Sequence, residues 1–170
     1  TIDHCVEMAR LGESARFDFL FLADSATMGG SDLEALSRTA IRYVAQFEPI
    51  TLLSALALAT SRIGLVASVS TTYGEPFHLA RAFASLDHIS HGRAAWNAVT
   101  TSYASTGANF GIKHPAHADR YAIAEEFIDV TRARWDSGDD DAFPRDKTTG
   151  VYVEQSKRHA IGHAGQYFSV

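Results

Sequence analysis

The sequence predicts an α/β fold built on a parallel sheet, and three observations carry that prediction. Apolar runs suited to strands alternate with segments whose apolar residues recur at helical spacing. Each run ends in side chains that can hydrogen-bond, and two of the helical segments open on the same Glu-Pro pair.

In chain order, residues 2–15 place Ile2, Val6, Ala9 and Leu11 so that a helix has one buried stripe, with Cys5 packed beside it. The run FDFLFLAD, 17–24, is continuously apolar and ends in an acid, as expected of a parallel strand covered on both faces. A polar stretch, 25–47, leads into EPITLLSALALATS, where Pro49 occupies a position that the first turn of a helix tolerates. RIGLVASVS, 62–70, is the second strand. EPFHLARAFASLDHIS, 75–90, repeats the Glu-Pro start, spaces Leu79, Phe83 and Leu86 three or four apart, and is followed by Gly92 as a stop. GRAAWNAVT, 92–100, is the third strand. A long helix is expected from about 117 to 135, with Tyr121, Ala124, Phe127, Ile128 and Trp135 on one face. Past Trp135 the stretch DSGDDDAFPRDKTTG is acidic and turn-rich, a solvated excursion, and 151–170 is expected to hold two short strands.

Composition narrows the function. At 170 residues and 46% hydrophobic content, the chain has room for one domain with a core. A net charge of −5 excludes a nucleic-acid partner, which needs a basic surface. Cys5 is the single cysteine, so no intramolecular disulfide can form and a reducing, cytoplasmic setting is expected. No apolar run approaches the length of a membrane span, and TIDHCVEMARLGE carries charges where a signal peptide would be apolar. The chain opens at Thr1 inside a helical pattern, which reads as part of something longer. His88 and His91, His114 and His117, and His159 and His163 have helical spacings, but no carboxylate or cysteine cluster completes a metal site, so no metal is expected. No GxSxG motif is present, and catalytic residues stay unassigned.

The three strand exits are the informative feature: Asp24 and Ser25, then 68–73, then 97–102. In a parallel sheet all three lie at the carboxyl ends of the strands, where α/β folds place ligands. Neutral donors and acceptors on apolar walls suit a flat heteroaromatic ring better than a phosphate cradle. The same residue types also end strands and cap helices with no ligand present.

FDFLFLADS, EPITLLSALALATSRIGLVASVSTTY, EPFHLARAFASLDHISHGRAAWNAVTTS, NFG and HADRYAIAEEF together resemble the bacterial luciferase-like flavin monooxygenases. Within them they are similar to the branch of nitrilotriacetate, dibenzothiophene-sulfone and long-chain alkane monooxygenases. The resemblance runs from about residue 6 to 137, and WNAVTTS and STTYGEPFHLAR are specific to that branch. It implies a partial (β/α)8 TIM barrel, with 1–137 as the N-terminal part and 138–170 as an acidic insertion loop with short strands. The first barrel strand would precede Thr1, and later strands, with a serine-containing phosphate segment, would follow Val170.

The resemblance further implies an FMN-dependent monooxygenase that inserts one oxygen atom of O2 into a small organic substrate through a flavin C4a-hydroperoxide. Reduced FMN would come from a separate NAD(P)H-dependent flavin reductase, and a homo-oligomer is expected. Asp24, Ser68, Asn97, Val99, His117 and Tyr121 fall at the family's flavin-contact positions, with Ser68 in place of a common threonine. Asn97 can donate and accept along the ring edge, as can the Val99 backbone. His117 and Tyr121, four apart at a helix start, would face the FMN phosphate. The alternative is a non-catalytic barrel fragment or scaffold that has lost the cofactor; a third reading is a flavin-free barrel enzyme for a phosphorylated substrate.

Overall fold

The protein's structure, a computed structural model, describes residues 1–28, 32–38 and 45–170. Helix α1 (Ile2–Ser14) leads into strand β1 (Phe19–Leu22), and the short helix α2 (Leu33–Ser37) precedes α3 (Pro49–Ala59). Strand β2 (Gly64–Ser70), helix α4 (Pro76–Ser90) and strand β3 (Ala94–Val99) follow. A single turn, α5 (Thr106–Asn109), and the long helix α6 (His117–Trp135) come next, and a 3₁₀ turn, Gln155–Lys157, lies in the tail. The sheet order is β1-β2-β3 and both pairs are parallel, with Leu20 opposite Leu65 and Leu65 opposite Ala94.

The Glu-Pro starts are helix caps. Glu48 accepts the Ile50 and Thr51 N–H groups at 2.9 and 2.7 Å, and Pro49 fills a position where no N–H is needed. Glu75 stands at the same place before Pro76, though its side chain makes no capping hydrogen bond. At the other end of α4, His91 and Gly92 turn left-handed (φ 59° and 83°) and the Gly92 N–H donates back to the Asp87 carbonyl at 3.0 Å.

The helices pack on one face of the sheet. Leu65 and Ala67 of β2 are fully buried beneath Leu52, Leu53 and Leu56 of α3, Leu79, Phe83 and Leu86 of α4, and Phe127 of α6. Each such buried Leu or Phe contributes about 1.5–3 kcal/mol. Residues of the other parity, among them Phe19, Phe21, Val66, Ser68, Ala95 and Asn97, line the opposite face, where Phe19 and Phe21 are 53% and 50% exposed. This corrects the expectation that the first strand is covered on both faces: among the described residues only the helix side is. One-sided helices on a parallel sheet make an arc of a barrel, not a doubly wound sheet.

Two further expectations are corrected. The buried stripe of α6 runs through Arg120, Ala124, Phe127, Val130 and Thr131, which leaves Tyr121 56% exposed and Trp135 41% exposed. Ala124 and Phe127 of the expected face are buried, but the stripe also includes an arginine and a threonine, so apolar residues alone misplace its edges. Residues 151–170 form no strand among the described residues, only isolated bridges between Gly138 and Arg158 and between Ala164 and Ser169. Their backbone is used otherwise. Gln166, Tyr167 and Phe168 donate their N–H groups to the Glu126 carboxylate of α6 at 2.8–3.0 Å, and His163 Nε2 lies 2.9 Å from it.

The N-terminal end of the sheet is held by charged side chains. Glu13 of α1 accepts the Ser61, Arg62 and Ile63 N–H groups at 2.8–3.1 Å. Arg93, just before β3, donates to the Ala57, Thr60, Ile63 and Ser90 carbonyls and to the Thr60 hydroxyl at 2.6–3.2 Å. Among the described residues no helix is long and apolar enough to cross a membrane.

Candidate functional site

At the carboxyl end of the sheet the three strand exits converge. Ser68 and Asn97 are register partners across β2 and β3, and Asn97 Nδ2 donates to Ser68 Oγ at 2.9 Å. Ser68 is 2% exposed, and Asn97 is half-buried on the open face. That bond uses one amide hydrogen of Asn97 and one lone pair of Ser68. The Asn97 carbonyl oxygen and the Ser68 hydroxyl hydrogen have no partner among the described residues.

One step further along the strands, Ser70 Oγ accepts the Thr101 hydroxyl at 2.7 Å, and Thr72 Oγ1 donates to the Thr100 carbonyl at 2.9 Å. Val99 sits opposite Ser70, but its carbonyl already accepts the Thr71 N–H at 2.9 Å and the Thr71 hydroxyl at 3.3 Å. Of the Val99 backbone, the carbonyl thus has both lone pairs engaged.

Asp24 lies two residues past β1, and its Oδ1 accepts Gln46 Nε2 at 2.9 Å. Although the side chain keeps solvent contact, partial burial pushes its carboxyl above the ordinary range, against the hydrogen bonds from the Ser25 backbone and Gln46. Among the described residues no hydrogen bond joins it directly to the Ser68–Asn97 pair. The loop it opens is nevertheless stitched to the exit of β3: Thr27 Oγ1 and Ser105 Oγ are 3.2 Å apart, and Asn109 Nδ2 donates to the Ala26 carbonyl at 2.6 Å.

His117 and Tyr121 start α6, with ring centroids 4.8 Å apart and both side chains exposed. Ala116 is the N-cap residue and among the described residues no side chain caps the helix, which leaves its first amides available to an outside acceptor. Two contacts bring this helix start to the strand exits. The Tyr73 hydroxyl lies 2.5 Å from His114 Nδ1, and the Tyr73 ring stacks on Phe110 at 4.6 Å. Burial pushes the Tyr73 hydroxyl pKa up, with Arg120 acting against it. The six residues singled out in the sequence therefore stand at one end of the molecule. Gln46 and His114 were missed, because their partners lie 22 and 41 residues away and no local pattern pairs them. Among the described residues no cluster of three or more metal-ligating side chains exists.

A separate groove of about 600 Å³ runs along the free edge of β3, between α4 and α6, lined by Phe83, His88, Trp96, Ile128, Arg132 and Trp135. None of the six residues lines it.

The luciferase-like monooxygenase family matches residues 1–168. N-acetyl-S-(2-succino)cysteine monooxygenase of Bacillus subtilis is 50% identical over 170 residues, which cover 99% of this chain and 37% of that protein. Nitrilotriacetate monooxygenase component A of Aminobacter aminovorans is 47% identical over 175 residues, covering 99% and 39%. Among solved structures, a riboflavin lyase with modified FMN and its substrate riboflavin superposes with a TM-score of 0.88 at 38% identity, over 100% of this chain and 39% of that one. The chain spans well under half the length of these relatives.

Proposed function

This chain belongs to the luciferase-like monooxygenase family, and from that premise we propose that it carries the flavin-binding residues of an FMN-dependent monooxygenase. One observation supports this most: the hydrogen-bonded Ser68–Asn97 pair at the carboxyl end of the sheet, with a neutral donor and a neutral acceptor left over on the face away from the helices. Such groups fit the edge of an isoalloxazine ring, whose carbonyls and ring nitrogens alternate as acceptors and donors. Phe21, Val66 and Ala95, on the same face, give that ring an apolar floor.

In this reading Asn97 and Ser68 hold the ring edge, and Asp24, fixed by Gln46, orders the loop beside it. His117, Tyr121 and the uncapped first turn of α6 receive the phosphate, which the helix dipole favours. Reduced FMN, when bound, supplies the two electrons with which one atom of O2 enters a small organic substrate and the other leaves as water. The chain's own residues bind and orient the ring and keep water from it. The relative called component A agrees with a separate NAD(P)H-dependent reductase as the source of reduced flavin.

Flavin titration of the intact protein tests this reading. Asn97→Ala is expected to weaken FMN and riboflavin alike, about tenfold, as for one ring contact with its neighbours disturbed. His117→Ala is expected to weaken FMN and leave riboflavin nearly unchanged. Equal losses of both ligands in both variants would refute the division of roles, and an intact protein that binds neither flavin would favour the scaffold reading.

A further inference from the structure

We propose that Ser70 is a further flavin-facing hydrogen-bond donor and that Thr101 is the residue that aims it; the inference rests on the FMN reading above. Ser70 ends β2, two residues past Ser68, and shares its open face. A serine hydroxyl has one hydrogen to give and two lone pairs to receive with. Both lone pairs of Ser70 are engaged, by the Thr72 N–H at 3.1 Å and by the Thr101 hydroxyl at 2.7 Å. Only the hydrogen remains, and among the described residues no acceptor takes it.

Thr101 holds that arrangement in an unusual way. Its φ of 44° is left-handed, a region that a β-branched residue rarely adopts. Backbone strain of this kind concentrates at ligand sites because the surrounding structure must enforce it. Here the enforcement is visible: Thr72 Oγ1 donates to the Thr100 carbonyl at 2.9 Å, and the Thr71 N–H donates to the Val99 carbonyl at 2.9 Å, so the β3 exit is bound to the β2 exit at the two residues just before the turn. The left-handed turn sends the Thr101 hydroxyl back toward β2, where it fills the second lone pair of Ser70.

Ser68 repeats the pattern one pleat earlier, since its oxygen accepts Asn97 and its hydrogen is unclaimed. One face of β2 thus offers two neutral donors, about 6.6 Å apart along the strand. A lone serine at a strand end needs only one partner. Two hydroxyl donors on one strand face suit a ring that presents several acceptors along one edge, and the acceptor assigned to Ser70 is a ring carbonyl.

Flavin titration and infrared difference spectra of bound oxidised flavin, in the intact protein, test the proposal. Ser70→Ala is expected to lower FMN and riboflavin affinity by the same factor, roughly fivefold, the worth of one neutral hydrogen bond. A ring carbonyl stretch should move to higher wavenumber. Thr101→Ala should broaden that band with a smaller loss of affinity, and Thr101→Ser should restore it. If Ser70→Ala does not fold, an unchanged carbonyl band in Thr101→Ala overturns the proposal. Unchanged affinity and unshifted bands in Ser70→Ala, with Asn97→Ala still weakened, also overturn it while leaving the FMN reading in place. A wild-type protein that binds no flavin overturns both.

Discussion

The two ends of the three-stranded sheet are finished with different chemistry. At the N-terminal end, Glu13 and Arg93 each take several backbone partners from neighbouring elements, and their hydrogen-bonding capacity goes into holding the chain. At the C-terminal ends of β2 and β3 the side chains are neutral, short and only partly engaged: among the described residues Ser68 and Ser70 accept without donating, and Asn97 donates without accepting. Charged clamps at one end leave the other free to keep unspent donors and acceptors, as in barrel folds whose lower face serves stability and whose upper face serves chemistry.

Breaking the lower end should cost stability and spare binding. Arg93→Met removes five donated hydrogen bonds that tie β3 to the ends of α3 and α4. We expect a loss of about 3 kcal/mol or more in urea unfolding, with flavin affinity of the folded fraction unchanged.

Glu13 sharpens the comparison through pH. Hydrogen bonds from the Arg62, Ile63 and Ser61 backbone hold its carboxyl at about 2, against an ordinary 4.5. A depressed folded-state pKa means that the stabilisation is complete above about pH 4.5 and disappears as the pH falls through 2. Glu126, where burial acts to raise the pKa but His163 and the Phe168, Tyr167 and Gln166 N–H groups hold it at about 2, adds to the same window. The melting temperature of the wild type should therefore drop between pH 4.5 and 2, and Glu13→Gln should flatten that drop while lowering the neutral-pH melting temperature by less than Arg93→Met does.

Smaller effects are expected from the loop seams at the upper end. Thr27→Ala removes one exposed hydroxyl pair with Ser105 and should change global stability by less than about 0.5 kcal/mol. Faster hydrogen exchange confined to 24–28 and 105–109 would show that the seam holds the two loops together.

Much of the fold was legible because its signals are local. The three apolar runs became strands with boundaries shifted by one or two residues, and Pro49, Pro76 and Gly92 marked helix ends through backbone geometry that each residue carries in itself. What was not legible is long-range or depends on context. Nothing in FLFL tells a strand whether its second face is covered by its own chain, and Phe19 and Phe21 lie on a face the described residues leave open. Arg93 looked like an ordinary charged residue before a strand, and its carbonyl partners lie up to 36 residues away. In the site, the residue types at the three exits were readable, but the Gln46–Asp24 and Tyr73–His114 bonds and the crowding of the Val99 carbonyl emerge only when separate segments meet.

Hydrogen–deuterium exchange of the intact protein with and without FMN tests most directly whether the neutral end of the sheet is the flavin site. Protection is expected at 24–28, 68–73, 97–101 and the first turn of α6, with 61–63 and 90–93 unchanged. Protection centred on the Glu13 and Arg93 end, or none at the strand exits in a protein that binds FMN, would contradict it.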